Sequence, residues 1–309
     1  MPITLPFPPA VNPRVELLDE HLDAVADRYG ERGTTERARW RSVHFGLLAA
    51  RMYPEAQLDL LTLSAEALVW LFEYDDHLVD LPPESEQQDA HALMLATADV
   101  LAGRQATRPA SPLGLLWDIC LRARTIGGEA WWVRFGQDAQ DFADLMYDES
   151  RSRAERRPPS PESYRRLRRG TSGWALLTDL AELVAGQPLP EHVVRGGRYR
   201  ELRWAAGDLA CAINDLLSHP KELAAGEYHN LVMVLEHSRR IDVAEARAIV
   251  TGMIPELLAD YLRIRAEFLA EQPLARDHVR ALEHLMRGSL DWSIASGRYP
   301  ELVDGGSHR

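Results

Sequence analysis

Apolar residues recur at three- and four-residue steps along almost the whole chain. The pattern covers 14–29, 35–52, 56–80, 87–103, 112–125, 129–152, 161–169, 174–186, 191–219, 242–271 and 274–297. Only an α-helix gathers residues so spaced onto one face. Alternating β-branched runs bounded by turns are missing, so strands are not expected. The breaks fall where Pro and Gly cluster, at Leu81-Pro82-Pro83, Arg157-Pro158-Pro159-Ser160-Pro161, Gly186-Gln187-Pro188 and Gln272-Pro273. Ser160-Pro161 reads as an N-cap followed by a proline at the first helical position. No internal repeat and no Gly/Ser linker divides the chain. The expectation is an all-α fold. One helical domain of about ten to twelve helices would span 1–309, with 1–13 and 302–309 extended or mobile.

Composition narrows the function classes. An apolar content of 46% suffices for one large core. The formal charge of −12 leaves no basic stripe to neutralise a nucleic-acid backbone, so no nucleic-acid partner is expected. It does not exclude a small phosphorylated ligand whose charge is met by metal ions. Cys120 and Cys211 are far apart and form neither a disulfide framework nor a CxxC pair, which fits a reducing cytoplasm. The first residues have no basic start and no continuous apolar run, so they do not read as a signal peptide. No apolar stretch is long enough for a membrane span or anchor.

Two oxygen-rich clusters carry the chemistry. The first is Asp75-Asp76-His77-Leu78-Val79-Asp80. It follows the apolar lead Trp70-Leu71-Phe72, and Pro82 should end the helix near Asp80. Three carboxylates then sit at a helix C-terminus, the end that disfavours anions, which makes sense if a cation binds them. Asp76 and Asp80 share a face, and Asp75 lies about 100° round from Asp76. The second cluster places Asn214, Ser218 and Glu222 at i, i+4 and i+8 on one helical stripe. An amide oxygen, a hydroxyl and a carboxylate form a low-charge site suited to a hard divalent cation that also receives phosphate oxygens. Pro220 removes the donor that would reach Leu216, so a kink or shift is expected there. Lys221, the single lysine among 35 basic residues, falls inside this cluster. A solvated acidic helix end and a polar helix face remain the structural alternatives.

With these motifs in this order the chain resembles the bacterial class I terpene synthases. The resemblance rests on the aspartate-rich motif (Asp75, Asp76, Asp80) and on the second metal motif (Asn214, Ser218, Glu222). Arg169-Gly170-Thr171-Ser172-Gly173 is similar to the family's segment of diphosphate-sensing arginine, linker and helix-break glycine. Arg298-Tyr299 resembles its terminal diphosphate-binding pair. Trp292 stands where the family often has a cavity aromatic. The spacing Asp-Asp-x-x-x-Asp is one residue longer than the commonest form, and Ser172 replaces the more usual Asp or Thr.

The resemblance implies an antiparallel helical bundle around an apolar cavity. It implies three Mg²⁺ held by Asp75, Asp76 and Asp80 on one wall and by Asn214, Ser218 and Glu222 on the other. Arg169, Lys221, Arg298 and Tyr299 would hydrogen-bond the leaving diphosphate, with Ser172 and Gly173 at the helix break. Phe72 and Trp292 would face the carbocation, with Trp70, Trp174 and Trp204 as further candidates. The implied reaction is Mg²⁺-dependent ionisation of an acyclic prenyl diphosphate, farnesyl diphosphate by default, and cyclisation to a sesquiterpene. A diterpene synthase using geranylgeranyl diphosphate, a prenyl diphosphate synthase or hydrolase of the same bundle type, and a non-catalytic helical binding protein stay open. So does a homodimer. A second DDxxD, which chain-elongating prenyl transferases use, does not occur. A di-iron carboxylate bundle would need paired Glu-x-x-His motifs, which Glu20-His21 and Glu283-His284 do not supply.

Overall fold

The computed structural model describes residues 3–29, 34–79, 87–105, 107, 113–154, 158–186, 189–296 and 298–299. Within them run thirteen α-helices: α1 (Glu16–Tyr29), α2 (Thr34–Val43), α3 (Phe45–Met52), α4 (Leu58–Val79), α5 (Gln87–Leu101), α6 (Leu113–Ala154), α7 (Pro161–Thr171), α8 (Trp174–Val184), α9 (Glu191–Val194), α10 (Gly197–Ala224), α11 (Leu231–Arg239), α12 (Val243–Glu271) and α13 (Arg276–Ala295). No strand occurs among the described residues, and none of their helices is long and apolar enough to cross a membrane.

The long helices pack as a bundle. Helix α10 lies against α12 and α13, α13 also against α3 and α8, and α4 against α3, α6 and α8. One contiguous apolar core runs from Leu5 and Phe7 through every long helix to Trp292 and Tyr299. Caps set several ends as anticipated. Ser160 Oγ accepts from the Ser163 amide with Pro161 at the first turn, and Asp242 Oδ1 accepts from the Glu245 amide at 2.8 Å to open α12.

The structure departs from the periodicity in five places. The run 191–219 is broken at Arg195 and Gly196, between α9 and α10. The run 35–52 is broken at His44, whose left-handed backbone (φ 58°) separates α2 from α3. The segments 112–125 and 129–152 meet in one bent element, α6, whose kink is Gly128 with φ 73° and ψ 177°. Only glycine visits that region without strain. Helix α11 was not anticipated, because its apolar run is too short to show a period. Its start is marked by Asn230, whose Oδ1 accepts from the Val232 amide at 2.9 Å. Finally, α10 runs on through Pro220 to Ala224. The Leu216 carbonyl, deprived of its usual partner, accepts from Arg247 Nη1 of α12 at 3.1 Å instead.

The N-terminal segment is extended but not mobile over 3–13. Leu5 and Phe7 are buried, and their carbonyls accept from Arg287 at 3.3 and 2.8 Å. Asn12 is buried and donates to the carbonyls of Tyr53, Pro54 and Ala56 at 3.4, 3.1 and 2.9 Å. The tail 301–309 lies outside the described residues.

Candidate active site

The described part of helix α4, Leu58–Val79, carries Asp75 and Asp76 in its last turns. Asp75 is half-buried, whereas the side chain of Asp76 and all of Asp80 lie outside the described part of the structure. Helix α10 carries the second cluster. Arg153, near the end of α6, joins the two fields. Burial opposes its charge, but Glu149, Glu227, Asp75 and Glu222 outweigh burial and hold its pKa high. Its Nη2 lies 2.7 Å from Glu149 and its Nε 3.4 Å from Glu227.

Each α10 residue has a distinct setting. Asn214 is held from both sides: its Oδ1 accepts from Arg168 Nη2 at 2.7 Å, and its Nδ2 donates to the Tyr299 hydroxyl at 3.1 Å. A guanidinium can only donate, which fixes the amide orientation. Ser218 is 1% exposed. Its hydroxyl neighbours the Glu222 carboxyl, yet makes no hydrogen bond of regular geometry. Burial, and then the charge of Asp215, push the Glu222 pKa up to about 7. Its Oε2 accepts from Asn230 Nδ2 at 2.8 Å. Lys221 is exposed beside them.

A buried hydroxyl without a regular partner and a buried, proton-attracting carboxyl are what a hard divalent cation would satisfy. The donors are all oxygens, so the residues present fit such an ion. Among the described residues no three His, Cys, Asp or Glu side chains converge. A cation held on α10 would therefore need the amide and the hydroxyl beside the carboxylate.

Of the two adjacent arginines, Arg168 and not Arg169 bonds the α10 cluster. Arg169 turns away from Asn214, and Arg168 faces it. Arg169 donates through Nε and Nη2 to the two Asp208 oxygens at 2.8 and 2.7 Å and lies 5.0 Å over the Trp204 ring. Burial raises the Asp208 pKa, but bonds from Arg169 and Arg165 outweigh it and hold the carboxyl below its ordinary value. Arg168 instead bonds Asn214 and, through Nε, Asp215 Oδ1 at 3.0 Å. Both arginines meet α10, but successive residues point about 100° apart on a helix, so Arg168 reaches Asn214 and Asp215 while Arg169 reaches Asp208 and Trp204 nearer the start of α10. The doubled arginine was the available signal, and it could not say which.

Asp215, Asn230 and Arg153, which carry no sequence signal, lie against these residues. Asp215 is buried and accepts from the Tyr164 hydroxyl and from the Leu231 amide. Asn230 Nδ2 additionally donates to the Asp215 carbonyl at 2.8 Å.

Ser172 and Gly173 form the break between α7 and α8. Gly173 has φ 69°, and a Cβ there would meet Leu71 of α4 at 3.1 Å. The Ser172 hydroxyl accepts from the Trp174 amide at 3.3 Å.

Past α13, Arg298 and Tyr299 return to the same place. The Arg298 guanidinium lies 4.5 Å over the Phe72 ring. Phe72 also meets Phe45 at 5.2 Å and Trp292 at 5.5 Å, and Trp292 meets Tyr299 at 6.3 Å. Trp292 Nε1 donates to the Val43 carbonyl at 2.8 Å.

Phe72 and Trp292 pack against each other. An apolar cavity of about 30 Å³ is walled by Trp70, Leu71, Phe135, Leu176, Leu177 and others of α4, α5, α6 and α8. Trp174 is spoken for by the Arg203 carbonyl at 3.0 Å. Trp204 is 44% exposed and lines no interior space.

Residues 66–260 match the model of terpene synthase family 2, C-terminal metal binding. The chain is 32% identical to the (−)-delta-cadinene synthase of Streptomyces clavuligerus, over 86% of this chain and 84% of that protein. It is 27% identical to the (+)-T-muurolol synthase of Roseiflexus castenholzii, named as cyclising (2E,6E)-farnesyl diphosphate, over 96% and 93%. Its fold superposes on the crystal structure of linalool/nerolidol synthase from Streptomyces clavuligerus with a TM-score of 0.81, 25% identity and coverage of 95% and 100%. The chain belongs to terpene synthase family 2, the bacterial class I terpene synthases.

Proposed function

We propose that this terpene cyclase ionises farnesyl diphosphate with three Mg²⁺ ions and closes the resulting allylic cation to a sesquiterpene. Asp75, Asp76 and Asp80 would hold metal from α4, and Asn214, Ser218 and Glu222 from α10. The ions supply electrophilic pull on the leaving diphosphate. Around them the chain's own donors stabilise the charge that grows as the C–O bond breaks. These are Arg168, Lys221, Arg298 and the Tyr299 hydroxyl. Arg168 takes the place first given to Arg169, because it alone of the two reaches the α10 cluster. Ser172 and Gly173 connect that helix to Leu71 of α4. The aromatic faces of Phe72 and Trp292 would stabilise the cation after departure, each by about 0.5–2 kcal/mol.

One observation carries this reading. Asn214 of α10 bonds Tyr299, and Tyr299 contacts Trp292. Trp292 contacts Phe72, three residues before Asp75 on α4. Motifs distant in sequence thus close on one locus. The farnesyl chain is favoured by the substrate named for the T-muurolol synthase relative.

The test is incubation with geranyl, farnesyl and geranylgeranyl diphosphates and Mg²⁺, with gas chromatography of an organic overlay. Cyclic C15 products from farnesyl diphosphate, abolished by EDTA and restored by Mg²⁺, are expected. Products from geranylgeranyl diphosphate alone would replace the sesquiterpene reading with a diterpene one. Turnover in metal-free buffer would remove the metal assignment.

A further inference from the structure

Helix α8 has two unlike faces. Leu176, Leu177 and Leu180 wall the apolar cavity. Ala175, Thr178 and Asp179 point on average about 150° away from these three. One residue of α10 grips that rear side. Arg203 donates through Nε to Thr178 Oγ1 at 2.8 Å. Through Nη2 it meets the Ala175 carbonyl at 2.7 Å, Asp179 Oδ1 at 3.0 Å and Asp138 Oδ2 of α6 at 2.7 Å. Its own carbonyl accepts from Trp174 Nε1 at 3.0 Å. Thr178 and Asp179 are buried. We propose that Arg203 is a positioning residue for cyclisation: by holding the rear of α8 against α6 and α10 it fixes the apolar wall on which the prenyl cation folds, and so decides which products form. This rests on the cyclase reading above and takes the cavity beside α8 as the place where the hydrocarbon folds.

The physical reason is that a hydrocarbon cation offers no hydrogen-bonding group by which to orient it. The shape of the wall sets its folding, and competing ring closures separate on small differences between barriers. A small displacement of the wall is then enough to redirect them. Apolar packing alone holds a helix weakly against rotation and sliding, because dispersion contacts have no direction. A guanidinium has five donors in a rigid plane, so it fixes both. The neighbouring turn of α10 keeps the two helices close: a Cβ at Gly207 would lie 2.8 Å from the Trp174 ring. From two other directions, the Tyr53 hydroxyl donates to the Leu177 carbonyl and Trp131 Nε1 to the Asp179 carbonyl, each at 3.1 Å. Asn214 lies eleven positions further along α10, about 16 Å away. Arg203 therefore acts on the wall and not on the diphosphate, and its effect on products is separable from ionisation.

Two full-length variants test this with farnesyl diphosphate and Mg²⁺. Arg203→Lys keeps a cation beside Asp138, but one nitrogen cannot hold Ala175, Thr178 and Asp179 together. Thr178→Val keeps the side-chain volume and removes one acceptor of the grip. Asp242→Ala, which loses only the exposed cap of α12, is the control for lost stability. Released diphosphate measures turnover, gas chromatography the product shares, and circular dichroism the melting temperature. In Arg203→Lys, diphosphate release should stay within about threefold of wild type while the share of the main product falls at least about twofold. Thr178→Val should shift the shares in the same direction by less. Asp242→Ala should lower the melting temperature and keep wild-type shares. Unchanged shares in Thr178→Val and in folded Arg203→Lys, beside a wild type that makes cyclic products, would overturn the positioning role and leave the cyclase reading intact. An equal shift in Asp242→Ala would overturn it too, because any loss of stability would then redirect products. A wild type that turns over no prenyl diphosphate would overturn the cyclase reading and this inference with it.

Discussion

At the scale of single residues, adjacent positions on one helix have opposite duties. Arg168 and Arg169 differ by one peptide, yet one faces Asn214 and the other Asp208 and the Trp204 ring. We expect Arg168→Ala to lower kcat for diphosphate release by about 100-fold or more, the scale of losing one charge-stabilising donor. Arg169→Ala should stay within about threefold of wild type, since it loses only a half-exposed ion pair. Steady-state assays of released diphosphate compare them, and equal losses would return Arg169 to the site. Ser218 gives a second test. Its hydroxyl is buried without a regular partner. Ser218→Ala should leave the metal-free protein as stable as wild type, or up to about 1 kcal/mol more stable. The same change should abolish the thermal stabilisation that Mg²⁺ plus diphosphate gives. Preserved stabilisation would make Ser218 an ordinary core hydroxyl.

At the scale of elements, two helices owe their ends or continuity to a neighbour. The α7–α8 break needs glycine, because Gly173 has a positive φ and sits against Leu71. Gly173→Ala should cost about 1–2 kcal/mol from backbone strain alone, with the Leu71 contact adding to it. Chemical denaturation measures this, and Leu71→Ala in the same chain should recover only the steric part. Helix α10 survives Pro220 because Arg247 of α12 takes the Leu216 carbonyl. Arg247→Met should therefore destabilise by about 1–3 kcal/mol, the cost of an orphaned buried acceptor. In the double variant with Pro220→Ala the helix regains its own donor, and much of that loss should disappear. Absence of such coupling would mean the Arg247 bond is incidental.

At the scale of the whole molecule, the N-terminal segment ties the bundle together without being helical. Leu5 and Phe7 enter the core, and Asn12 satisfies three carbonyls between α3 and α4. Asn12→Ala should cost about 1–3 kcal/mol, because it strands buried carbonyls rather than merely removing a contact. Deleting 1–13 should lower the melting temperature further, and an unchanged melting curve would show the segment to be dispensable. The Arg287 bonds to the Leu5 and Phe7 carbonyls explain why the periodicity missed it. Tertiary hydrogen bonds, which have no local signature, order an irregular strand of chain.

By itself the sequence determined the helical class, most helix positions and the two oxygen clusters, because each depends on spacing along the chain. Period, caps and prolines act within a few residues, and the i, i+4, i+8 stripe follows from helical pitch alone. Tertiary structure decided what spacing cannot encode. It set Arg168, not Arg169, against Asn214 by fixing how α7 lies along α10. It put Asp215 and Asn230 beneath the α10 cluster and carried α10 past Pro220 by a donor from another helix. It brought Phe72, Trp292, Arg298 and Tyr299 together, although more than two hundred positions separate the first from the others. Such choices depend on which surfaces of different helices meet, and that is fixed only when the shared core packs.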